Sequence, residues 1–299
     1  MRSDLIIVEH ANSLLLNYLL IFCKPLFSYK LAYWGHGYNH QASNRNSISE
    51  KVKLRSLKFV DWYFSYTDGV SKYLESNGFA KNRITTLKNT IDTTQFSDEL
   101  DGCSAEEITE FFKHHNLTTG QTALYCGSLT KSKDIDFLLK SALIIKNKIT
   151  NFSLLIIGNG PEKELVKTYA ENYLWIIYLG SLYRREKALA FKCADCVLMP
   201  GQVGLMAIDS LIAKTPIVVR SLLTHGPEIE YIELYTTGVF TELDIADYTS
   251  AVISLLSDLE KMKLLTSNCS SNKGAFSVEH MAHSFCDGIK MCLNIPIEA

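Results

Sequence analysis

The sequence lacks an excess of charge of either sign, and it lacks a hydrophobic run long enough to span a membrane. Its 30 lysines and arginines nearly balance 32 aspartates and glutamates, which leaves a formal net charge of -2. No global charge therefore attracts the chain to nucleic acid or to an anionic surface. The apolar stretch from Leu14 to Phe27 is too short for a bilayer, and Lys24 and Pro25 interrupt it. We interpret it as a buried helix, with a membrane-facing helix as the alternative.

The cysteines show no pattern of a disulfide framework or a zinc site. All eight are scattered, and several lie inside apolar runs. Cys193 and Cys196 have zinc-like spacing, but no second pair and no histidine cluster follow them. We interpret this pair as the end of a helix that leads into a buried strand. Free thiols in a core are typical of a reducing compartment, so we expect a cytoplasmic protein.

Short apolar runs alternate with amphipathic stretches along the chain, a pattern typical of parallel sheets with helical crossovers. A chain of 299 residues is long enough for two such domains. We predict an N-terminal Rossmann-like domain over residues 1–98, a hinge over 99–118, a second domain over 119–275 and a helical segment over 276–299. The first domain holds little more than one of the two halves of a doubly wound domain, so it is shortened.

Two glycine-containing loops follow predicted strands of the second domain. After Gly127 and Ser128, a short loop carries Lys131 and Lys133, and this arrangement suits a diphosphate, although solvated lysines are an equal alternative. Gly158, Gly160 and Pro161 form a tight turn into a helix. This turn lacks the third glycine and the later acidic residue of a dinucleotide site, which argues against NAD.

Two further segments of this domain carry polar groups at strand ends. Gly201, Val203, Gly204 and Leu205 precede a helix whose N-terminal amides can face an anion, and Asp209 within that helix can bind a ribose or sugar hydroxyl. The alternative is a glycine-rich turn that merely starts the helix. Further along, His225, Glu228 and Glu230 lie within six residues, where they form either hydroxyl contacts or a surface turn.

These motifs, in this order, resemble the retaining glycosyltransferases of family 4, which adopt the GT-B fold of two Rossmann-like domains with parallel sheets. Ile84–Asp92 with Phe96 is similar to the element with which these enzymes cross between domains. Tyr33–Asn39 resembles a W-G-H-G-x-N segment of a bacterial branch that assembles surface polysaccharides, including lipopolysaccharide. The resemblance covers about residues 4–240, and it rests on five motifs that follow one another in the same order as in the family.

The resemblance implies roles for individual residues. Lys133 faces the donor diphosphate, the Gly201–Leu205 loop holds the sugar and phosphate, Asp209 binds the ribose, and His36 contacts the sugar from the N-terminal domain. His36 lies between two glycines, so the alternative is a turn histidine bonded to backbone. The other implied donor contacts come from the first two loops: Gly127, Ser128, Lys131, Gly158 and Gly160.

Three departures from the family pattern affect the interpretation. Gly201 replaces the first glutamate of an E-x7-E pair, Ser128 replaces an arginine, and the N-terminal glycine-rich loop has no counterpart. The alternative to a complete enzyme is therefore a non-catalytic or half-enzyme protein whose acceptor site is completed by a partner chain. An epimerase or a phosphorylase is a third hypothesis.

The function that the resemblance implies is that of a hexosyltransferase-type enzyme. It transfers a sugar from a nucleoside-diphosphate sugar to an acceptor hydroxyl with retention. We expect no cofactor, and no metal, since we identify no Asp-x-Asp pair holding a divalent ion at the crevice. The resemblance further implies a saccharide or lipid-linked saccharide acceptor and peripheral association with the inner face of the plasma membrane.

Overall fold

The computed structural model describes residues 3–11, 14–37, 48–234, 236–269 and 276–296. The chain forms two compact units, each built around one parallel sheet. The first unit comprises Met1–Thr90, Gly226–Glu230 and Gly274–Ala299, and the second comprises Ile91–His225 and Tyr231–Lys273. The predicted α/β class with two parallel sheets is confirmed.

The first unit has a four-stranded sheet in the order β1-β2-β3-β4. Its strands are β1 (Leu5–Glu9), β2 (Lys30–Gly35), β3 (Trp62–Ser65) and β4 (Ile84–Thr86). Because side chains alternate along a strand, Leu31 and Tyr33 face one side of β2 and Ala32 faces the other. The first face is covered by α1 (Leu15–Cys23), α2 (Ile48–Ser56) and α3 (Asp68–Ser76), and the second by the last helix, α12 (Val278–Leu293).

Helix α1 does not form the buried helix that we predicted. Leu20 and Ile21 reach the core, but Leu15 is 80% exposed and Phe22 is 76% exposed. The prediction was wrong because apolar side chains lie on more than one face of α1, while the described part of the unit covers one side of it. No helix among the described residues is long and apolar enough to cross a membrane.

The second unit has a six-stranded parallel sheet in the order β10-β9-β8-β5-β6-β7. Its strands are β5 (Thr122–Cys126), β6 (Ser153–Ile157), β7 (Ile176–Gly180), β8 (Cys196–Met199), β9 (Ile217–Arg220) and β10 (Gly238–Thr241). Its helices are α4 (Thr93–Gly102), α5 (Ala105–His114), α6 (Ile135–Lys148), α7 (Lys163–Asn172), α8 (Arg184–Lys192), α9 (Met206–Ala213), α10 (Ile245–Ser257) and α11 (Leu259–Asn268). The strand order reverses between β5 and β8, which creates a crevice at their carboxyl ends.

The boundaries of the two units differ from those that we predicted. Residues 99–118, the predicted hinge, include the end of α4 and all of α5, and both helices pack on α8 in the second unit. Arg185 of α8 pairs with Glu107 of α5, and Phe96 of α4 contacts Phe191 of α8 at 5.4 Å between ring centroids. The C-terminal segment is not separate, since Phe285 of α12 stacks on a buried ring of the first sheet.

Candidate functional site

The loops that follow β5 and β6 touch through their backbones. A Cβ atom on Gly158 would lie 1.8 Å from the carbonyl oxygen of Gly127, and one on Gly160 would lie 2.4 Å from the carbonyl oxygen of Leu129. Both glycines also have positive φ angles, +149° and +156°, which favour glycine. Gly158 and Gly160 are therefore required for the packing of the crevice wall, and their direct contact with a donor stays a prediction.

The loop that follows β8 packs in the same way on the other side of β5. A Cβ atom on Gly201 would lie 2.4 Å from the Cα atom of Lys133, and the Gln202 amide donates a hydrogen bond to the Ser132 carbonyl at 2.9 Å. There is no room at this position for the glutamate side chain that the family pattern has. The substitution by Gly201 is thus explained by the approach of the two loops.

Lys133 holds a positive charge where these loops meet. Its half-buried side chain donates through Nζ to the Gln202 carbonyl and, at 3.3 Å, to the Val203 carbonyl. Lys131 and Ser128 are exposed. The two lysines therefore differ: Lys131 matches the alternative of a solvated lysine, whereas the ammonium group of Lys133 is anchored beside the loop.

Helix α9 begins directly after this loop. Gly204 has a φ of +61°, and Leu205 at the start of the helix has no side-chain cap. Amides in the first turn of such a helix are suited to an anion. The crevice thus combines an ammonium group with the N-terminus of a helix, and both are features that stabilise negative charge.

Asp209 has a partner that the sequence did not reveal. Its buried carboxylate pairs with Lys187 Nζ of α8 at 2.8 Å. Burial raises the pKa of Asp209, and the attraction of Lys187 opposes this shift. Lys187 Nζ also lies 4.5 Å from the centre of the Phe96 ring. A ribose contact by Asp209 stays a prediction, and any such ligand would meet the carboxylate already paired with a cation.

His225 is bonded to the loop that follows β8 at the crevice. Its Nδ1 accepts a hydrogen bond from the Val203 amide at 3.4 Å, and its Nε2 donates to the Arg220 carbonyl at 2.6 Å, which assigns the proton to Nε2. A ring that accepts through Nδ1 and donates through Nε2 is neutral, and burial, which lowers the pKa of His225, favours this form. These bonds give His225 a structural role in holding the loop, and contact with a hydroxyl stays a prediction.

An Asp-x-Asp pair follows Lys133 in the sequence, and the structure shows what its two carboxylates contact. Asp134 pairs with Arg220 at 2.5 Å, and Asp136 pairs with Lys140 at 2.6 Å. Both carboxylates are therefore neutralised by cationic side chains. In the described ranges, no group of three or more His, Cys, Asp or Glu side chains is arranged to hold a metal ion.

Glu228 and Glu230 belong to the first unit, within a helical turn over Pro227–Tyr231. Glu230 accepts hydrogen bonds from the Gly69 amide at 2.8 Å and the Thr67 hydroxyl at 2.9 Å, at the start of α3. Glu228 is buried and accepts one from Asn89 at 3.0 Å. Both carboxylates thus tie the turn to the first unit, and their contact with a ligand stays a prediction.

His36 lies at the end of β2 in the first unit. Gly35 and Gly37 on either side have φ angles of +146° and +75°, and the His36 ring meets the Tyr66 ring edge-on at 4.4 Å between centroids. Burial lowers the pKa of His36, and the charge of Glu228 opposes this shift. The last two residues of the motif, 38 and 39, lie outside the described residues.

The family to which the chain belongs follows from a match over more than half of its length. Residues 107–270 match the model of the glycosyl transferases group 1, and the chain is a member of this family. The matched region contains all the second-unit loops described above. No curated protein matches the chain in sequence.

Solved structures share the GT-B fold of this chain at low sequence identity. TarM of S. aureus has a TM-score of 0.65 at 16% identity, with 87% of this chain and 51% of TarM covered. HepE of Anabaena, in complex with UDP, has a TM-score of 0.72 at 14% identity, with 96% of this chain and 78% of HepE covered. The pneumococcal O-GlcNAc transferase GtfA has a TM-score of 0.71 at 14% identity, with 98% of this chain and 58% of GtfA covered. The chain thus spans about half the length of TarM.

Proposed function

We propose that this protein transfers a sugar from a nucleoside-diphosphate sugar to an acceptor hydroxyl with retention at the anomeric carbon. The observation that carries this proposal is the crevice between β5 and β8, where Lys133 and the start of α9 lie on loops of the matched family region. The similar structures support the choice of donor, because HepE was solved with UDP-glucose and GtfA with UDP and GlcNAc.

The proposed role of the crevice is to stabilise the leaving group. The diphosphate gains negative charge as the bond to the sugar breaks. Lys133 and the amides at the start of α9 are fixed before the ligand arrives, so they stabilise that charge without reorganisation. Lys131, which is exposed on the same loop, adds a second, weaker attraction. His36 contacts the transferred sugar in this proposal.

The proposed acceptor is a lipid-linked saccharide of bacterial surface polysaccharide synthesis, used at the inner face of the plasma membrane. Support for membrane contact comes from the apolar residues that α1 and the following turn expose: Leu15, Leu16, Leu19, Phe22, Leu26 and Phe27. The neighbouring α2 and its following turn, which pack on the same core face, expose Lys51, Arg55 and Lys58. Exposed apolar side chains beside cations suit an anionic lipid surface.

A second candidate is a half-enzyme that binds the donor and needs a partner chain. Among the described strands, β1 pairs with β2 alone, so its other edge is available for a further strand. The similar protein GtfA was also solved as a GtfA/B complex. A partner that adds to this edge would extend the first sheet.

Binding and turnover separate these candidates. UDP or GDP should raise the melting temperature of the purified protein without added metal. Incubation with a panel of nucleotide sugars, with and without membrane extract, should then release the nucleoside diphosphate. Binding without transfer or hydrolysis under all these conditions would favour the half-enzyme. Equal melting curves with every nucleotide at millimolar concentration would count against both.

A further inference from the structure

A buried chain of hydrogen bonds leads to the turn that carries His36. The Gly37 amide donates to Tyr63 Oη at 3.0 Å, and Tyr63 Oη lies 3.0 Å from His10 Nδ1. His10 Nε2 lies 3.2 Å from both the Lys53 carbonyl and the Ser56 hydroxyl. The chain thus runs from α2 through His10 and Tyr63 to the backbone beside His36.

The direction of each bond follows from the groups available. The Lys53 carbonyl can only accept, so His10 carries its proton on Nε2 and donates it there. His10 Nδ1 is then an acceptor and receives the proton of Tyr63 Oη, while the Gly37 N–H donates to the same Tyr63 oxygen. Every donor along this path has an acceptor when His10 is neutral.

The surroundings hold His10 in this neutral form. His10 and Tyr63 are both buried, and the His10 ring stacks on Tyr33 at 4.3 Å between centroids. Burial, together with the charge of Lys53, lowers the pKa of His10 to about 3. The imidazole thus stays neutral over the pH range in which an enzyme assay is run.

The Gly35–Gly37 turn is held by hydrogen bonds on both sides of His36, and the Tyr66 amide donates to the Gly35 carbonyl at 3.3 Å. Gly35 and Gly37 both have positive φ angles, and glycine backbones are the most permissive of any residue. The His10 amide donates to the Trp34 carbonyl at 2.8 Å, which anchors the chain before His36. The Tyr63 hydroxyl anchors it after His36. A small displacement of a reacting group can lower a rate by about 100-fold.

We propose that Tyr63 and His10 are positioning residues that hold the Gly35–Gly37 turn, and through it the His36 imidazole, in the geometry that sugar transfer requires. This inference rests on the proposed function. Neither side chain contacts substrate: Tyr63 acts through the Gly37 amide, and His10 acts through Tyr63. The effect should therefore appear in turnover and not in nucleotide affinity.

The first test removes only the hydroxyl group. Tyr63→Phe should lower kcat about 10-fold while KM for the sugar donor and Kd for UDP change less than 2-fold. In the His36→Ala background the same change should have no further effect, because the two residues act as one unit. Tyr248→Phe is the matched control: its hydroxyl is equally buried and donates to the Val218 carbonyl in the second unit. It should leave kcat unchanged.

A second pair of variants tests the direction of the bonds. His10→Asn retains an oxygen near the position of Nδ1 that can accept the Tyr63 proton, whereas His10→Leu does not. We expect kcat to be closer to the wild-type value for His10→Asn than for His10→Leu. An equal loss of kcat in both variants, with folding intact by circular dichroism, would overturn the proposed chain of hydrogen bonds.

Amide exchange measured by NMR provides a readout that does not depend on activity. Tyr63→Phe should speed exchange of the Gly37 amide at least 10-fold, whereas the Leu87 amide, bonded to the Ser65 carbonyl at 2.9 Å in the same sheet, should be unaffected. Unchanged exchange of the Gly37 amide, or effects of Tyr63→Phe and His36→Ala on kcat that simply add, would overturn this inference and leave the proposed function standing. A wild type that binds UDP but shows no turnover would overturn the proposed function and the catalytic positioning with it.

Discussion

Replacing Lys133 by alanine tests the electrostatic basis of the donor crevice. Its ammonium group is held by the carbonyls of Gln202 and Val203, at the loop where we place the diphosphate. A unit charge about 4 Å from a phosphate is worth about 4 kcal/mol at an effective dielectric constant of about 20. Lys133 is only half-buried, so solvent reduces this value, and we expect a loss of about 1.5 to 3 kcal/mol. This loss corresponds to about 10- to 100-fold in Kd for UDP.

The same substitution should also lower stability slightly. From sequence alone, a lysine in a loop is expected to contribute almost nothing to folding. The structure revises this expectation, because Lys133 bonds two backbone carbonyls across the crevice. Their loss should lower the free energy of unfolding by about 1 kcal/mol and the melting temperature by about 2 to 4 °C.

Calorimetric titration with UDP and with uridine separates the two effects. Lys133→Ala should weaken UDP binding and leave uridine binding nearly unchanged, since uridine has no phosphate. Lys131→Ala is the control from the same loop, and its exposed side chain should contribute less than about 1 kcal/mol. If Lys133→Ala binds UDP as tightly as the wild type does, the diphosphate does not lie at this lysine and the reasoning fails.

Three further predictions concern catalysis, packing and membrane contact. His36→Ala should lower turnover about 100-fold with unchanged UDP affinity, and full activity in a donor-hydrolysis assay would reduce His36 to a turn residue. Gly158→Ala should lower the free energy of unfolding by about 2 kcal/mol or more, because its Cβ would lie 1.8 Å from the Gly127 carbonyl oxygen. Urea titration measures this loss, and an unchanged midpoint of the unfolding transition would contradict the packing argument. The double variant Leu15→Ser/Phe22→Ser should sediment less with anionic phosphatidylglycerol vesicles. The control Leu174→Ser, at a side chain that is 90% exposed, should sediment as the wild type does. Equal binding by all variants would exclude α1 as the segment that contacts the membrane.

The sheets were predictable because their signal is local. A strand buried on both faces appears as a continuous apolar run, and Leu154–Ile157 is such a run. Glycines at the ends of these runs mark the loops at the crevice, so Gly127, Gly158 and Gly201 were located from sequence. The reason for two of them was not: Gly158 and Gly201 each accommodate the backbone of a neighbouring loop, and only the folded chain shows this approach.

The residues that sequence analysis missed are paired over long distances in the chain. Lys187 is one of several charged residues of α8, and nothing local distinguishes it as the partner of Asp209. Nothing in the local sequence distinguishes His10 either, yet it lies in a buried network with Tyr63, 53 positions away. Exposure of α1 was missed for a related reason, since composition does not reveal how much of a helix its neighbours cover.

The interlocked glycines have a consequence for how the crevice evolves. Because the β5, β6 and β8 loops are joined by backbone contacts at Gly158, Gly160 and Gly201, their shape depends little on the side chains they carry. Exposed positions such as Ser128 and Lys131 can therefore vary without distorting the loops. Such an arrangement separates the inherited architecture from the chemistry that selects a donor. The fold that this chain shares with HepE at 14% identity is consistent with such a separation.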